Sequence, residues 1–259
     1  MIKDIFVSLI VAFSMYSKIP MPHILWSDRS MRYAMCFFPW VGFVVGGLEY
    51  LFYRLCLLLG FGTLWTTAGM ILLPILVTGG IHFDGFMDTS DAMSSWRERE
   101  DRLRILKDSH VGAFAVIAAV VYFVAAFGAA SEIRSEMIPV LCMMFGVTRS
   151  FSAISVVSFP HANPSGTAAA FGDHAVKKAV QAVSVLYIVL LTVVSILLHP
   201  VSGVLMIVTA VCAFLYYYRF SMKYFGGMTG DLAGNFVTKA ELAILVVIVL
   251  GNGIVRVFL

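Results

Sequence analysis

VGAFAVIAAVVYFVAAFGAA, residues 111–130, runs for twenty residues without a charge. The hydrocarbon core of a bilayer is about 30 Å thick, and a helix of about 20 mostly apolar residues crosses it. The stretch therefore predicts a transmembrane helix. Working outward, runs of the same character occupy 33–59, 63–81, 136–158, 180–198, 201–218 and 240–258, with a shorter one at 3–17. Together they predict an all-α fold, a polytopic integral membrane helical bundle of about seven to eight transmembrane segments. Composition agrees: 60% of the 259 residues are hydrophobic and 13% charged, where a soluble domain carries about 25% charge. The first segment follows Lys3 and has no small-residue cleavage site, Lys18-Ile19-Pro20-Met21-Pro22 coming instead. It is expected to stay in the mature chain, and is short enough either to cross with a thinned fit or to re-enter.

The bundle's orientation follows from its basic residues. If all eight segments cross, one face carries Lys18, Arg29, Arg32, Arg97, Arg99, Arg102, Arg104, Lys107, Lys177, Lys178, Arg219, Lys223 and Lys239. The other carries only Lys3, Arg54, Arg134 and Arg256. Lys and Arg gather on the cytoplasmic side of short loops, so the first face is expected to be cytoplasmic. The formal net charge of +3 includes no basic arm or stripe, which argues against nucleic acid as a partner. Cys36, Cys56, Cys142 and Cys212 lie in apolar runs without metal-ligand spacing and read as packing residues. The polar segments Lys18–His23, Gly79–Gly112, Phe159–Asp173 and Gly226–Lys239 all fall in loops of the basic face. An enzyme with a cytoplasmic substrate needs such a gathering and a structural protein does not, so residues 1–259 read as a single membrane-embedded catalytic domain.

Within the second of these segments, Asp84, Asp88 and Asp91 are spaced i, i+4, i+7. On a helix they share one face within about 60° of arc. Three anions so placed repel unless a cation lies among them, and hard oxygen ligands at a phosphate site suit Mg²⁺. The plainer alternative is an acidic helix start favoured by the helix dipole. His82 projects elsewhere on the same helix and would either contact substrate or cap the span. Farther on, Glu100 and Arg104 are spaced for a surface ion pair. Lys107, beside Asp108, is either a point cation for phosphate or a membrane-side anchor. Arg149 stands inside a span, where a charge marks a functional site by default; it would reach a diphosphate, snorkel, or pair with Glu49. The loop His161-Ala162-Asn163-Pro164-Ser165-Gly166 carries turn residues and reads as a plain connection. In Gly226-Gly227-Met228-Thr229-Gly230-Asp231, the glycines would let backbone N–H groups face an anion. Thr229 would cap the next helix, and Asp231 is a further candidate metal ligand or base. The alternative is a simple turn between spans.

At these residues the chain resembles a known family. His82-x-Asp84-Gly85-x-x-Asp88-Thr89-x-Asp91, then Lys107-Asp108-Ser109-x-x-Gly112-x-Phe114, is similar to the cobalamin synthases (adenosylcobinamide-GDP ribazoletransferases). Ile19-Pro20-Met21-Pro22 and Gly226-Gly227-x-Thr229-Gly230-Asp231, with Glu241 after it, match in the right order. Ala92 and Ala115 stand where the family usually has Gly. The loop at 159–166 lacks the family's Arg and glycine pair, so no site residue is carried over there.

The resemblance implies joining of adenosylcobinamide-GDP to α-ribazole, or its 5′-phosphate, giving adenosylcobalamin, or its 5′-phosphate, and GMP. This is the last joining step of cobalamin nucleotide-loop assembly. It implies Mg²⁺ on Asp84, Asp88 and Asp91, with Lys107 and Arg149 steadying phosphate oxygens. Asp108 or Asp231 would handle the nucleophile, His82 would contact substrate, and Gly226, Gly227, Thr229 and Gly230 would form a binding turn. The setting implied is the bacterial cytoplasmic (inner) membrane, with the lipid bilayer and other cobalamin-assembly enzymes as partners. Two rival classes fit less well. A CDP-alcohol phosphatidyltransferase wants Asp-Gly-x-x-Ala-Arg, but Asp88-Thr89 stands at the Ala-Arg position here. A transporter places its ionisable groups near the bilayer midplane, but most polar residues here lie at one face.

Overall fold

The computed structural model describes residues 2–24, 27–94, 98–108 and 110–258. Arg97 and Ser109, which belong to the basic face and to the Lys-Asp-Ser block, lie outside the described residues, as does the Lys3 side chain. The described chain is helical throughout, apart from loops and one isolated bridge. In chain order the helices are α1 (Ile2–Tyr16), α2 (Asp28–Met31), α3 (Ala34–Leu59), α4 (Thr63–Thr78), α5 (Ile81–Ser94), α6 (Arg99–Ile105), α7 (Ala113–Ala130), α8 (Ile138–Ser158), α9 (Thr167–His174), α10 (Lys177–Leu198), α11 (Pro200–Phe225) and α12 (Gly230–Phe258). Six of them, α3, α7, α8, α10, α11 and α12, are long and apolar enough to cross a bilayer, and α4 with α5 makes a seventh if the bent pair counts as one span. This is an integral membrane protein. At 1.5 Å per residue the 15 residues of α1 reach about 22 Å, short of the hydrocarbon thickness.

At the centre is α8, buried along most of its length, while α7 and α10 turn most of their surface outward. Two glycines one turn apart on α3, Gly42 and Gly46, press directly on the main chain of Phe145 and Cys142 in α8. Such small-x-x-x-small spacing lets helix backbones approach closely where lipid gives no hydrophobic push.

Two sequence-based boundaries shift. The span read at 63–81 ends at Thr78, and the chain turns 95° into α5. Gly79 and Gly80 take φ +67° and +78°, a left-handed pair that glycine adopts without steric cost. The segment Gly79–Gly112, which joins two spans, contains α5, the helix on which the three aspartates were expected to share a face, and α6. The last span begins at Gly230 rather than 240, directly after the Thr229 cap, so most of the polar segment Gly226–Lys239 is the first part of α12.

Candidate active site

The bend at Gly79-Gly80 lays α5 across the start of α12. The crossing is held by two more glycines. A Cβ added to Gly85 would lie 2.5 Å from the Asp231 carbonyl oxygen, and one added to Gly234 3.0 Å from that of His82. This contact brings residues far apart in the chain into one site. Asp88 has Asp84, Asp231 and Asp91 as its electrostatic neighbours, so carboxylates of α5 and α12 face a common region.

Beside this crossing lies a cleft of about 370 Å³. Its wall includes His82 and Asp84 from α5, Lys107 from the end of α6, and Thr229, Gly230 and Asp231 from the start of α12. Six of the residues singled out from sequence therefore meet in one cavity. Asp84, Lys107 and Gly230 are exposed, Asp231 is half-buried and His82 is buried. Thr229 caps α12 as expected, its Oγ1 accepting from Leu232 N at 3.2 Å.

The other candidates stand apart. Asp91 is half-buried, and its two oxygens accept from Gly112 N at 2.6 Å and Ala115 N at 2.8 Å. It anchors the first turn of α7, where unpaired amides need an acceptor. Asp108 is exposed and bonds the ring and main-chain nitrogens of His110 at 2.7 and 3.0 Å. The His110 side-chain bond, followed by its main-chain bond, holds that carboxyl below the usual range. Asp108 is not on the cleft wall.

Arg149 sits twelfth of 21 residues in α8 and is 1% exposed. It donates to Glu241 at 2.6 Å and to the Phe145 carbonyl at 3.0 Å, and Thr148 also donates to Glu241. Of the alternatives left open for Arg149, an ion pair is what forms, with Glu241, which α12 carries to α8, in place of Glu49. Glu49 shares with Arg149, Glu241 and His82 a second cavity of about 80 Å³. His82 borders both cavities, and its Nε2 has no hydrogen-bond partner among the described residues. Arg104 pairs with Asp101 at 2.5 Å rather than with Glu100; both spacings are neighbours on a helix.

The glycine turn also needs correcting. Gly226 N and Gly227 N donate to the Met222 and Ser221 carbonyls, closing the end of α11, and Met228 N donates to Pro160 O. These amides are not free to hold an anion. The Arg99 guanidinium and the main chain of Pro160–Ala162 lie where side chains at Gly226 and Gly227 would go. The two glycines allow close packing, and the anion-facing reading narrows to Gly230.

Sequence reasoning missed the opposite wall. Ala162 N donates to Met228 O at 2.9 Å, so the loop read as a plain connection is paired with the glycine turn. It brings His161, Asn163 and Gly166 to the cleft. Burial pushes the His161 ring below its usual pKa, with Asp173 opposing. From α1 and α3 come Tyr16 and Phe38. The available signal was that this loop shares the basic face with the other polar segments; nothing in its spacing showed the pairing.

Among the described residues, no three His, Cys, Asp or Glu side chains close on one point as a metal shell. Mg²⁺ does not require one, since it keeps waters and is bound through one or two carboxylates and substrate phosphate. The donor set fits that mode. Asp84 and Asp231 line the cleft, Asp88 is half-buried one turn along α5 from Asp84 and is not on the cleft wall, and all three are hard oxygen donors.

A family model described as cobalamin-5-phosphate synthase matches residues 8–249. The chain belongs to this family. Among curated relatives, the adenosylcobinamide-GDP ribazoletransferase of Lachnoclostridium phytofermentans is 41% identical over 248 residues, 96% of this chain and 95% of its own. The protein of the same name from Clostridium botulinum strain Alaska E43 is 31% identical over 246 residues, 93% and 96% of the two chains. That from Desulfitobacterium hafniense strain Y51 is 30% identical over 240 residues, 91% and 93%. No solved structure matches. Of the residues that carry the resemblance, His82, Asp84, Lys107, Thr229, Gly230 and Asp231 line the cleft.

Proposed function

We propose that the chain is an adenosylcobinamide-GDP ribazoletransferase, joining adenosylcobinamide-GDP to α-ribazole or its 5′-phosphate in cobalamin synthesis. The observation that carries this reading is the meeting of Asp84, Lys107, Gly230 and Asp231 in one cleft, within a chain that belongs to the family over nearly its whole length.

In the reaction, a ribazole hydroxyl attacks the cobinamide-side phosphorus of the diphosphate. A new P–O bond forms, the bond to the bridging oxygen breaks, and GMP leaves with that oxygen. The hydroxyl proton passes to a carboxylate, Asp231 in our assignment. Phosphoryl transfer needs mainly positioning and charge neutralisation. Lys107, exposed at the rim, brings a cation to the phosphates, and the amide of Gly230 faces them from the start of α12, where the helix dipole favours an anion. Asp84 and Asp88 would hold Mg²⁺, which neutralises diphosphate charge when bound; Asp91 is left to anchor α7. Arg149 acts from behind the cleft, fixing α8 to α12 through Glu241. The excess of Lys and Arg at the cleft end supports a cytoplasmic orientation in the bacterial cytoplasmic membrane.

The test is product analysis. Purified protein in detergent is mixed with adenosylcobinamide-GDP and each acceptor form. Cobalamin, or its 5′-phosphate, and GMP are expected in equal amounts. No product with either acceptor, from protein shown to be folded, would overturn the reading.

A further inference from the structure

The cleft wall is chemically mixed. It carries Asp84, Lys107, Gly230 and Asp231, and also Met15, Tyr16, Phe38 and Ala168 from α1, α3 and α9. Tyr16 has the most ring contacts of this apolar group. Its ring lies 4.2 Å from that of Phe38, 6.1 Å from His82 at an interplanar angle of 23°, and 6.2 Å from Phe171. Phe38 also meets His82 edge-on at 5.6 Å. Phe171 and Phe38 are buried and hold the phenol ring in place, while Tyr16 is half-buried and lines the cleft. The segment is anchored at its exit, because Lys18 N donates to Val77 O at 2.8 Å. A partly uncovered aromatic ring held by its neighbours, with Asp84, Lys107 and Asp231 on the wall of the same cavity, suits a ligand that joins a flat π-face to phosphate or hydroxyl groups.

We propose that Tyr16, backed by Phe38 and Phe171, is a stacking platform for the planar base of a nucleoside substrate. The proposal rests on the function proposed above and extends it. Two bases have the required chemistry, the base of α-ribazole and the guanine of the donor, and both stack through a π-face without a hydrogen-bond code. The platform also explains what α1 contributes, since this short helix supplies part of the cleft wall. Stacking of a base on an aromatic side chain is lost on truncation at a cost of about 10-fold or more in affinity.

The experiment compares wild type with Tyr16→Leu, which keeps apolar volume and removes the ring, and Tyr16→Phe, which keeps the ring and removes the hydroxyl. KM and kcat are measured separately for acceptor and donor. Equilibrium dialysis with α-ribazole alone and with GDP alone gives binding independent of turnover. Tyr16→Leu is expected to raise KM and weaken binding about 10-fold for one of the two molecules and leave the other unchanged, with Tyr16→Phe near wild type. A change confined to α-ribazole assigns the platform to the acceptor, and one confined to GDP assigns it to the donor. Equal KM and binding in all three proteins would overturn the platform, as would a loss in Tyr16→Phe equal to that in Tyr16→Leu. A wild-type protein that forms no product but still loses base binding in Tyr16→Leu would overturn the proposed reaction and leave the platform standing.

Discussion

Gly85→Ala probes the crossing that assembles the site. The added methyl would lie 2.5 Å from the Asp231 carbonyl oxygen and 2.8 Å from its Cα. Carbon–carbon contacts settle at about 3.5–4.0 Å, so α5 and α12 must separate by about 1 Å locally. Both contacting atoms are main chain, and no rotamer change relieves them. Overpacking of this kind costs about 1–3 kcal/mol, so the protein still folds. The larger effect is on rate: Asp84 and Asp88 ride on one helix and Asp231 on the other, and a misplacement of reacting groups by about 1 Å costs about 100-fold. The assay is kcat for product formation in detergent, beside thermal unfolding of the same preparation. Gly47→Ala is the control, because nothing lies within 4 Å of its added methyl, and it should match wild type in both. If Gly85→Ala kept wild-type kcat, the packing of α5 on α12 would not set the catalytic geometry, and the reasoning would be refuted.

Asp91→Asn and Asp91→Ala separate anchoring from metal binding. Loss of a capping side chain costs about 0.5–2 kcal/mol. Asn retains one acceptor and should recover most of the stability and activity lost in Ala; a stable Asp91→Asn protein without activity would return Asp91 to the metal set. Glu241→Gln leaves Arg149 buried with a neutral partner. Removing one member of a buried pair costs about 3–5 kcal/mol, so a clear fall in unfolding temperature is expected. Arg149→Met with Glu241→Met should be milder than either single change, and additive losses would refute the pairing. His161→Ala should lower activity with little effect on unfolding temperature if the loop serves the cleft; unchanged activity would return it to a plain connection.

The spans were legible because lipid leaves a helix no alternative to a long apolar run, and the run at 111–130 matches α7 closely. The full extent of α5 and the union of the start of α12 with the last span were not, because hydropathy falls where their polar residues lie. The carboxylate face Asp84, Asp88, Asp91 followed from helix periodicity alone. The diversion of Asp91 to α7 did not, since it depends on where Gly112 returns to the bundle. Arg149 was recognised as significant from its depth, but its partner was not, because Glu49 and Glu241 are equally eligible until α3, α8 and α12 are packed. The loop at His161 and the ring of Tyr16 reach the cleft through tertiary pairing and carry no periodic signal. Arg99 against Gly226 belongs to the same class: one glycine served close packing where sequence suggested an anion nest.

The central claim is that the carboxylates of α5 and α12 form the catalytic part of the cleft around Mg²⁺. The most direct measurement is the rate of cobalamin formation as a function of Mg²⁺ concentration, for wild type and for Asp84→Asn. The account predicts no rate without Mg²⁺ and a fall of at least about 100-fold in Asp84→Asn at low Mg²⁺, partly recovered as the ion is raised. Superimposable Mg²⁺ curves for the two proteins would contradict it.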